Sequence, residues 1–181
     1  MNAVLPAGVS LRRPARHVDQ RGDLAEIFRR DWDVGPDPVQ WNLVRNRPNT
    51  LRGVHAHVRH SDYLMVVTGQ MRLALKDIRS DSLTLGLAAE LDLCADDLCV
   101  VIIPPGVAHG FHCLHEAVHL YAVTDYWSPS DELGCAWNDP DLGFDWPLNN
   151  PPLLSERDNA AGSLADLIVQ WTHQSEQPTG G

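Results

Sequence analysis

LRGVHAHVRHSDYLMVVTGQMRLAL, residues 51–75, holds the pattern that decides the fold. The apolar run Tyr63-Leu-Met-Val-Val67 stops at Thr68-Gly69, and Met71, Leu73 and Leu75 then alternate with Arg72, Ala74 and Lys76. Alternation of period two puts each set on its own face of a strand, so these runs read as a hairpin with one face buried. The start of the stretch, Arg52-Gly-Val-His55-Ala-His57, sets two histidines two residues apart. On an extended chain both point the same way and can face one interior.

Outward from this stretch, short β-rich runs recur at Leu83–Leu91, Leu98–Ile103 and Ala117–Thr124, divided by turn-rich segments such as Pro104-Pro105-Gly106. Regularly spaced short strands predict an antiparallel sandwich or barrel. One late helix is expected where Leu164, Leu167, Ile168 and Trp171 fall at helical spacing behind a Ser163-x-x-Asp166 capping box, and it reads as packing. The expectation is therefore an all-β domain with short flanking helices over residues 1–172 and a polar tail over 173–181.

Composition narrows the function classes. A chain of 181 residues, 44% hydrophobic, is long enough for one domain with a proper core. Its formal charge of −10 disfavours nucleic acid and acidic membrane surfaces, so an anionic ligand needs its own arginines. The first residues lack a hydrophobic signal core and no apolar run approaches the length of a membrane span, which makes the cytoplasm the expected compartment. Cys94, Cys99, Cys113 and Cys135 form no C-x-x-C pair and read as reduced thiols.

A second histidine signature, Pro104-Pro105-Gly106-Val-Ala-His109, follows an apolar strand and presents His109 from a rigid turn. With His55-x-His57, Asp62 and Gly69 it resembles the paired motifs of the cupins, jelly rolls in which the two motifs lie on neighbouring strands. In many cupins that geometry holds a metal, with His55, His57, Asp62 and His109 as the ligands here. His17, His60, His112, His115 and His173 lie outside both signatures and read as hydrogen-bonded or surface residues.

A more specific resemblance spans about Asp19 to Asp158. Its pieces are Asp19-x-Arg21-Gly22 with Glu26-x-Phe28, Gln40-x-Asn42, Leu51-Arg52-Gly53-x-His55, Asp77-x-Arg79 with Ser82-x-Thr84-x-Gly86, Pro105-Gly106-x-Ala108-His109-Gly110-Phe111, Tyr121, Trp137-Asn138-Asp139-Pro140, Trp146-Pro147 and Leu154-Ser155-x-x-Asp158. In order and spacing these resemble the dTDP-4-dehydrorhamnose 3,5-epimerase family. The resemblance implies a cupin jelly roll, a homodimer with strands exchanged between subunits, no metal or other cofactor, and a nucleotide-diphosphate sugar as substrate. It implies inversion at C3, C5 or both of a 4-keto-6-deoxy sugar, with His55 as base, Asp158 orienting and charging it, and Tyr121 as the acid on the opposite face.

The residue types suit that chemistry. A 4-keto group acidifies the protons on C3 and C5, so epimerisation needs a base on one face, support for the enolate and a donor on the other. Arg52, Arg21 and Arg79 are candidates for the diphosphate, since guanidinium matches phosphate oxygens. Glu26, Gln40 and Asn42 match positions contacting the nucleoside side, and His109 joins the substrate-binding set. Three departures mark this chain. His57 stands where the family has Gln, Tyr63 is aligned with the lysine thought to steady the enolate oxygen, and Trp127 takes the place of a second tyrosine. The R-G-x-H-x-H form also resembles the dTDP-sugar 3,4-ketoisomerases. A ketoisomerase, a metal-dependent cupin enzyme and a non-catalytic sugar-binding cupin are the alternatives in that order.

Overall fold

The computed structural model describes residues 4–32 and 34–177. In chain order its strands are β1 (Ser10–Arg12), β2 (Arg16–Asp19), β3 (Gly22–Ala25), β4 (Gln40–Asn46), β5 (Thr50–Ala56), β6 (Asp62–Thr68), β7 (Gln70–Asp77), β8 (Ala88–Cys94), β9 (Val100–Ile103), β10 (Val107–Cys113), β11 (Ala117–Val123) and β12 (Leu133–Gly134). The helices α1 (Glu156–Asn159) and α2 (Leu164–Ser175) follow. One five-stranded sheet has the order β1-β9-β6-β11-β4, the other β12-β5-β10-β7-β8, and β2 and β3 form a separate hairpin. The named strand pairs are antiparallel. This is the expected jelly roll.

Period-two alternation sorts the side chains into three apolar layers. Leu64, Val66, Met71, Leu73, Leu75, Val101 and Phe111 pack between the sheets. Complete burial of a leucine such as Leu73 or Leu75 contributes roughly 2 kcal/mol each. Tyr63, Met65, Val100 and Ile102, one residue out of phase with the inner set, pack on the outer face of the first sheet with Phe28 and Leu120. Behind the second sheet Val54, Ala56 and Ala108 pack against Leu164 and Leu167 of α2. The capping box at Ser163 and Asp166 is formed as expected. The helix continues to Ser175, into the segment read as a polar tail.

Two other readings change. The strand expected over 83–91 is Ala88–Cys94 instead, because residues 79–87 wrap around Asp77: Arg79, Ser82 and Thr84 all donate to its carboxylate. Arg79, a candidate for phosphate, also donates to the Ala7 carbonyl and is a structural strut.

The site depends on one close approach. Gly53 has φ +108°, and a Cβ there would lie 2.7 Å from Gly110 Cα and 2.8 Å from the His109 carbonyl. Strands β5 and β10 therefore pinch together, the register slips between His109 and Phe111, and His55 stands directly opposite His109.

Candidate active site

A cavity of about 440 Å³ opens between the sheets. The second sheet contributes Arg52 and His55 from β5, His57 just past its end and His109 from β10, while the first sheet supplies Asp62 and Leu64 from β6 and His119 and Tyr121 from β11. His55 and Tyr121 thus stand on opposite walls. Trp127, Glu132, Arg157 and Asp158 close the rim from the loops and α1.

Ser155 caps α1 by accepting from the Asp158 amide, which holds the Asp158 carboxylate toward β5. Its Oδ1 lies 2.7 Å from His55 Nε2. Burial works to raise the Asp158 carboxyl, but the hydrogen bond from His55, helped by Ser155 and Arg157, brings it below its ordinary value. On the other side of the ring, Nδ1 lies 3.5 Å from Glu132 Oε1. Burial raises Glu132 as well, and Arg157, His55 and Trp127 together bring it down. With Nε2–H donating to Asp158, Nδ1 carries the lone pair, and the Glu132 carboxylate lies beside it. Arg157 Nη2 lies 2.7 Å from the same Nε2 and 2.6 Å from Glu132 Oε1. Since one nitrogen cannot both donate to Asp158 and accept from Arg157, these two contacts are alternatives.

Tyr121 is paired in register with Leu64 and Asn42. Burial, with Glu132 and Asp62 nearby, raises its phenol above the ordinary value, so it remains a proton donor near neutrality. Arg52 is positioned at the cavity edge by a 3.0 Å bond from its Nε to Asn46 Oδ1. Gln40 and Asn42 share the half-buried face of β4 with the cavity residue Val44 and are linked at 3.1 Å. Gln40 also accepts from the Trp127 amide, and the Trp127 indole N–H donates to Glu132.

Deeper in the cavity lies a second polar group. Nε2 of His57, His109 and His60 stands 3.4, 3.7 and 4.0 Å, respectively, from Asp62 Oδ2. Burial raises the Asp62 carboxyl to about 7 and lowers His109 to about 4; it also takes His57 well below its ordinary value, with His109 and His60 adding to the effect. His60, read as an ordinary residue, is 1% exposed and belongs to this group.

Three expected site residues are elsewhere. Tyr63 follows Asp62, so strand alternation sends it to the outer face, where it packs edge-on against Phe28 and donates to the Pro36 carbonyl at 3.0 Å. It cannot steady an enolate in the cavity. Arg21 sits at the tip of the β2–β3 hairpin with 85% of its side chain exposed and pairs with Asp19. Glu26 pairs with Arg29. Within one chain neither lines the cavity. Conversely Glu132, Arg157 and His119 are lining residues that carry no sequence signature. The only hint was the position of Arg157 next to Asp158.

Residues 5–166 match the family described as dTDP-4-dehydrorhamnose 3,5-epimerase. A dTDP-4-dehydrorhamnose 3,5-epimerase of Pseudomonas aeruginosa is 40% identical over 131 residues, 71% of this chain and 72% of that protein. Among solved structures, a dTDP-6-deoxy-D-glucose-3,5-epimerase of Legionella pneumophila in complex with dTDP-4-keto-L-rhamnose superposes with a TM-score of 0.83 at 30% identity, over 92% of this chain and 96% of that one. A 3'-monoepimerase of Streptomyces bikiniensis in complex with dTDP-quinovose gives 0.84 at 28% identity, over 97% and 98%.

Proposed function

Because the chain belongs to the dTDP-4-dehydrorhamnose 3,5-epimerase family, and is an epimerase of that isomerase class, we propose that it inverts ring carbons of a dTDP-linked 4-keto-6-deoxy sugar through an enolate. The observation that carries the reading is the placement of His55 and Tyr121 on facing sheets across one cavity. A base on one wall and an acid on the other can take a proton from one face of a carbon and return one to the opposite face, which inverts it. His55, oriented by Asp158 at 2.7 Å, abstracts the proton next to the keto group. The enolate forms, and Tyr121 delivers a proton from the opposite side. Arg52 at the rim takes the diphosphate, and Gln40, Asn42 and Trp127 lie along the adjoining wall for the nucleoside or sugar.

Arg21 and Glu26 are assigned to a neighbouring subunit's site. The β2–β3 hairpin is exposed along nearly all its length, including Val18 at 75% and Leu24 at 62%. An exposed hairpin with Val18 and Leu24 bare is suited to pairing with a second copy, which would carry Arg21 toward the partner's cavity in a homodimer. Four free cysteines agree with a reducing cytoplasm, and none of the described helices is long and apolar enough to cross a membrane.

The test is proton NMR of dTDP-4-keto-6-deoxy-D-glucose incubated with the enzyme in deuterated water. Deuterium is expected at C3, C5 or both with inversion, and the position labelled defines the reaction. A product with its carbonyl moved to C3 would instead establish the ketoisomerase alternative.

A further inference from the structure

The buried group at the cavity floor has an unusual polarity. His57 Nδ1 lies 3.2 Å from the Asp131 carbonyl, His60 Nδ1 lies 2.7 Å from Asp131 Oδ2, and His109 Nδ1 lies 3.0 Å from the Val107 carbonyl. Each of these partners can only accept, so each Nδ1 holds its ring proton and each Nε2 is left as a lone pair. All three lone pairs then face the same atom, Asp62 Oδ2, which is itself an acceptor when ionised. His60 Nε2 and Asp62 Oδ2 are buried with no hydrogen-bond partner among the described residues. With the three rings neutral and Asp62 ionised, four acceptors are turned toward one another, and they repel unless a cation or a shared proton occupies the space between them.

We propose that His57, His60, His109 and Asp62 bind one divalent transition-metal ion. The ligand atoms of His57, His60 and Asp62 all lie within 4.8 Å of one another. A tetrahedral ion with bonds of about 2.0–2.1 Å needs ligand atoms roughly 3.3 Å apart. The distances to Asp62 Oδ2 are 3.4 Å for His57, 3.7 Å for His109 and 4.0 Å for His60; His57, His60 and Asp62 form the tighter group, and His109 must move further in to complete the set. Imidazoles whose far nitrogen is tied to a carboxylate or carbonyl are also the form in which histidine ligates a metal, because that bond fixes tautomer and ring direction. Asp131 serves two ligands at once and accepts from the Val58 and Arg59 amides as well, so its position is itself fixed. Three nitrogens and one carboxylate suit Zn²⁺, Co²⁺, Ni²⁺ or Fe²⁺ over Mg²⁺ or Ca²⁺.

This set is not the one the two histidine signatures suggest. His55 is engaged with Asp158 and takes no part, while His60, outside both signatures, replaces it. The proposal departs from the metal-free expectation drawn from the family. It stands independently of the epimerase reading, because binding is measured without substrate. An ion here would also place positive charge on the cavity wall, on the side where Tyr63 fails to reach.

The experiment is titration of chelator-dialysed protein with Co²⁺, followed by visible absorption and by thermal unfolding. Wild type is expected to saturate at one equivalent, with the d–d bands of a low-coordinate nitrogen/oxygen site and a raised Tm. His60→Gln and Asp62→Asn should each weaken binding at least tenfold, while His55→Ala should bind as wild type does. Should a cluster variant fail to fold, X-ray absorption of the wild-type Co²⁺ complex still counts its imidazole ligands, expected to be three. Absence of saturable binding in wild type would overturn the proposal in favour of a proton or water among these groups. Undiminished binding in both cluster variants, or its loss in His55→Ala, would overturn the ligand set.

Discussion

Asp77 and Asp158 are both buried carboxylates, at 1% and 5% exposure, both lie in motifs that resemble the same family, and both are held below the ordinary carboxylate range. Their donors differ. Asp77 is met by Arg79, Ser82 and Thr84, of which the guanidinium keeps its proton and the hydroxyls hold a loop in place. Against the effect of burial these bonds bring its carboxyl down to about 2. Asp158 is met by His55, an imidazole that borders the cavity. The same electrostatic arrangement is a structural strut where the space around it is closed. In the proposed reaction it serves catalysis where the donor is an imidazole that substrate can reach.

The contrast predicts a separation of activity from stability. Asp158→Asn is expected to lower kcat about ten-thousandfold, the scale on which a histidine base loses rate when its orienting carboxylate becomes an amide, with little change in Tm. Steady-state rates and a melting curve on the same sample check both halves. Asp77→Asn should do the reverse. Its displacement from 3.8 to about 2 corresponds to about 2 kcal/mol of stability, while turnover per folded molecule stays near wild type. Because the carboxyl is depressed in the folded state, that contribution is present above pH 3.8 and disappears as pH falls through about 2. The gap in stability between wild type and Asp77→Asn, followed by denaturant unfolding, should therefore shrink over that window. A large loss of turnover in Asp77→Asn would break the comparison.

The smallest effect belongs to Tyr63. Its hydroxyl donates to the Pro36 carbonyl on the outer face, so Tyr63→Phe should cost about 1 kcal/mol of stability in urea titrations and leave proton exchange on the sugar unchanged. Slower exchange in this variant would return Tyr63 to the cavity and contradict the strand register.

These residues also mark how much the sequence could tell. Where a strand is regular, period-two alternation sufficed: His55 and His57 face one interior, and Tyr121 lies across from them. A single-residue offset is all that separated Tyr63 from Asp62, and alternation turns that offset into opposite faces of the sheet. His60 escaped notice because it lies just beyond β5, in the turn before β6, where no periodicity applies. Glu132 and Arg157 come from a loop and a short helix whose approach to His55 is set by tertiary packing. Arg79 had a phosphate-binding residue type, and its commitment to Asp77 at the end of β7 and to the distant Ala7 carbonyl is set by tertiary packing. Arg21 and Glu26 lie away from the cavity of their own chain, paired with Asp19 and Arg29.

Central to this account is the division of labour between His55 and Tyr121 on opposite walls. The most direct measurement is proton NMR of the dTDP-4-keto-6-deoxy sugar in deuterated water with His55→Ala and Tyr121→Phe side by side. His55→Ala is expected to abolish both exchange and inversion, since no proton leaves carbon. Tyr121→Phe should still exchange protons with retention while inversion falls about a hundredfold, the usual cost of losing a general acid. Inversion at the wild-type rate in either variant would contradict the account.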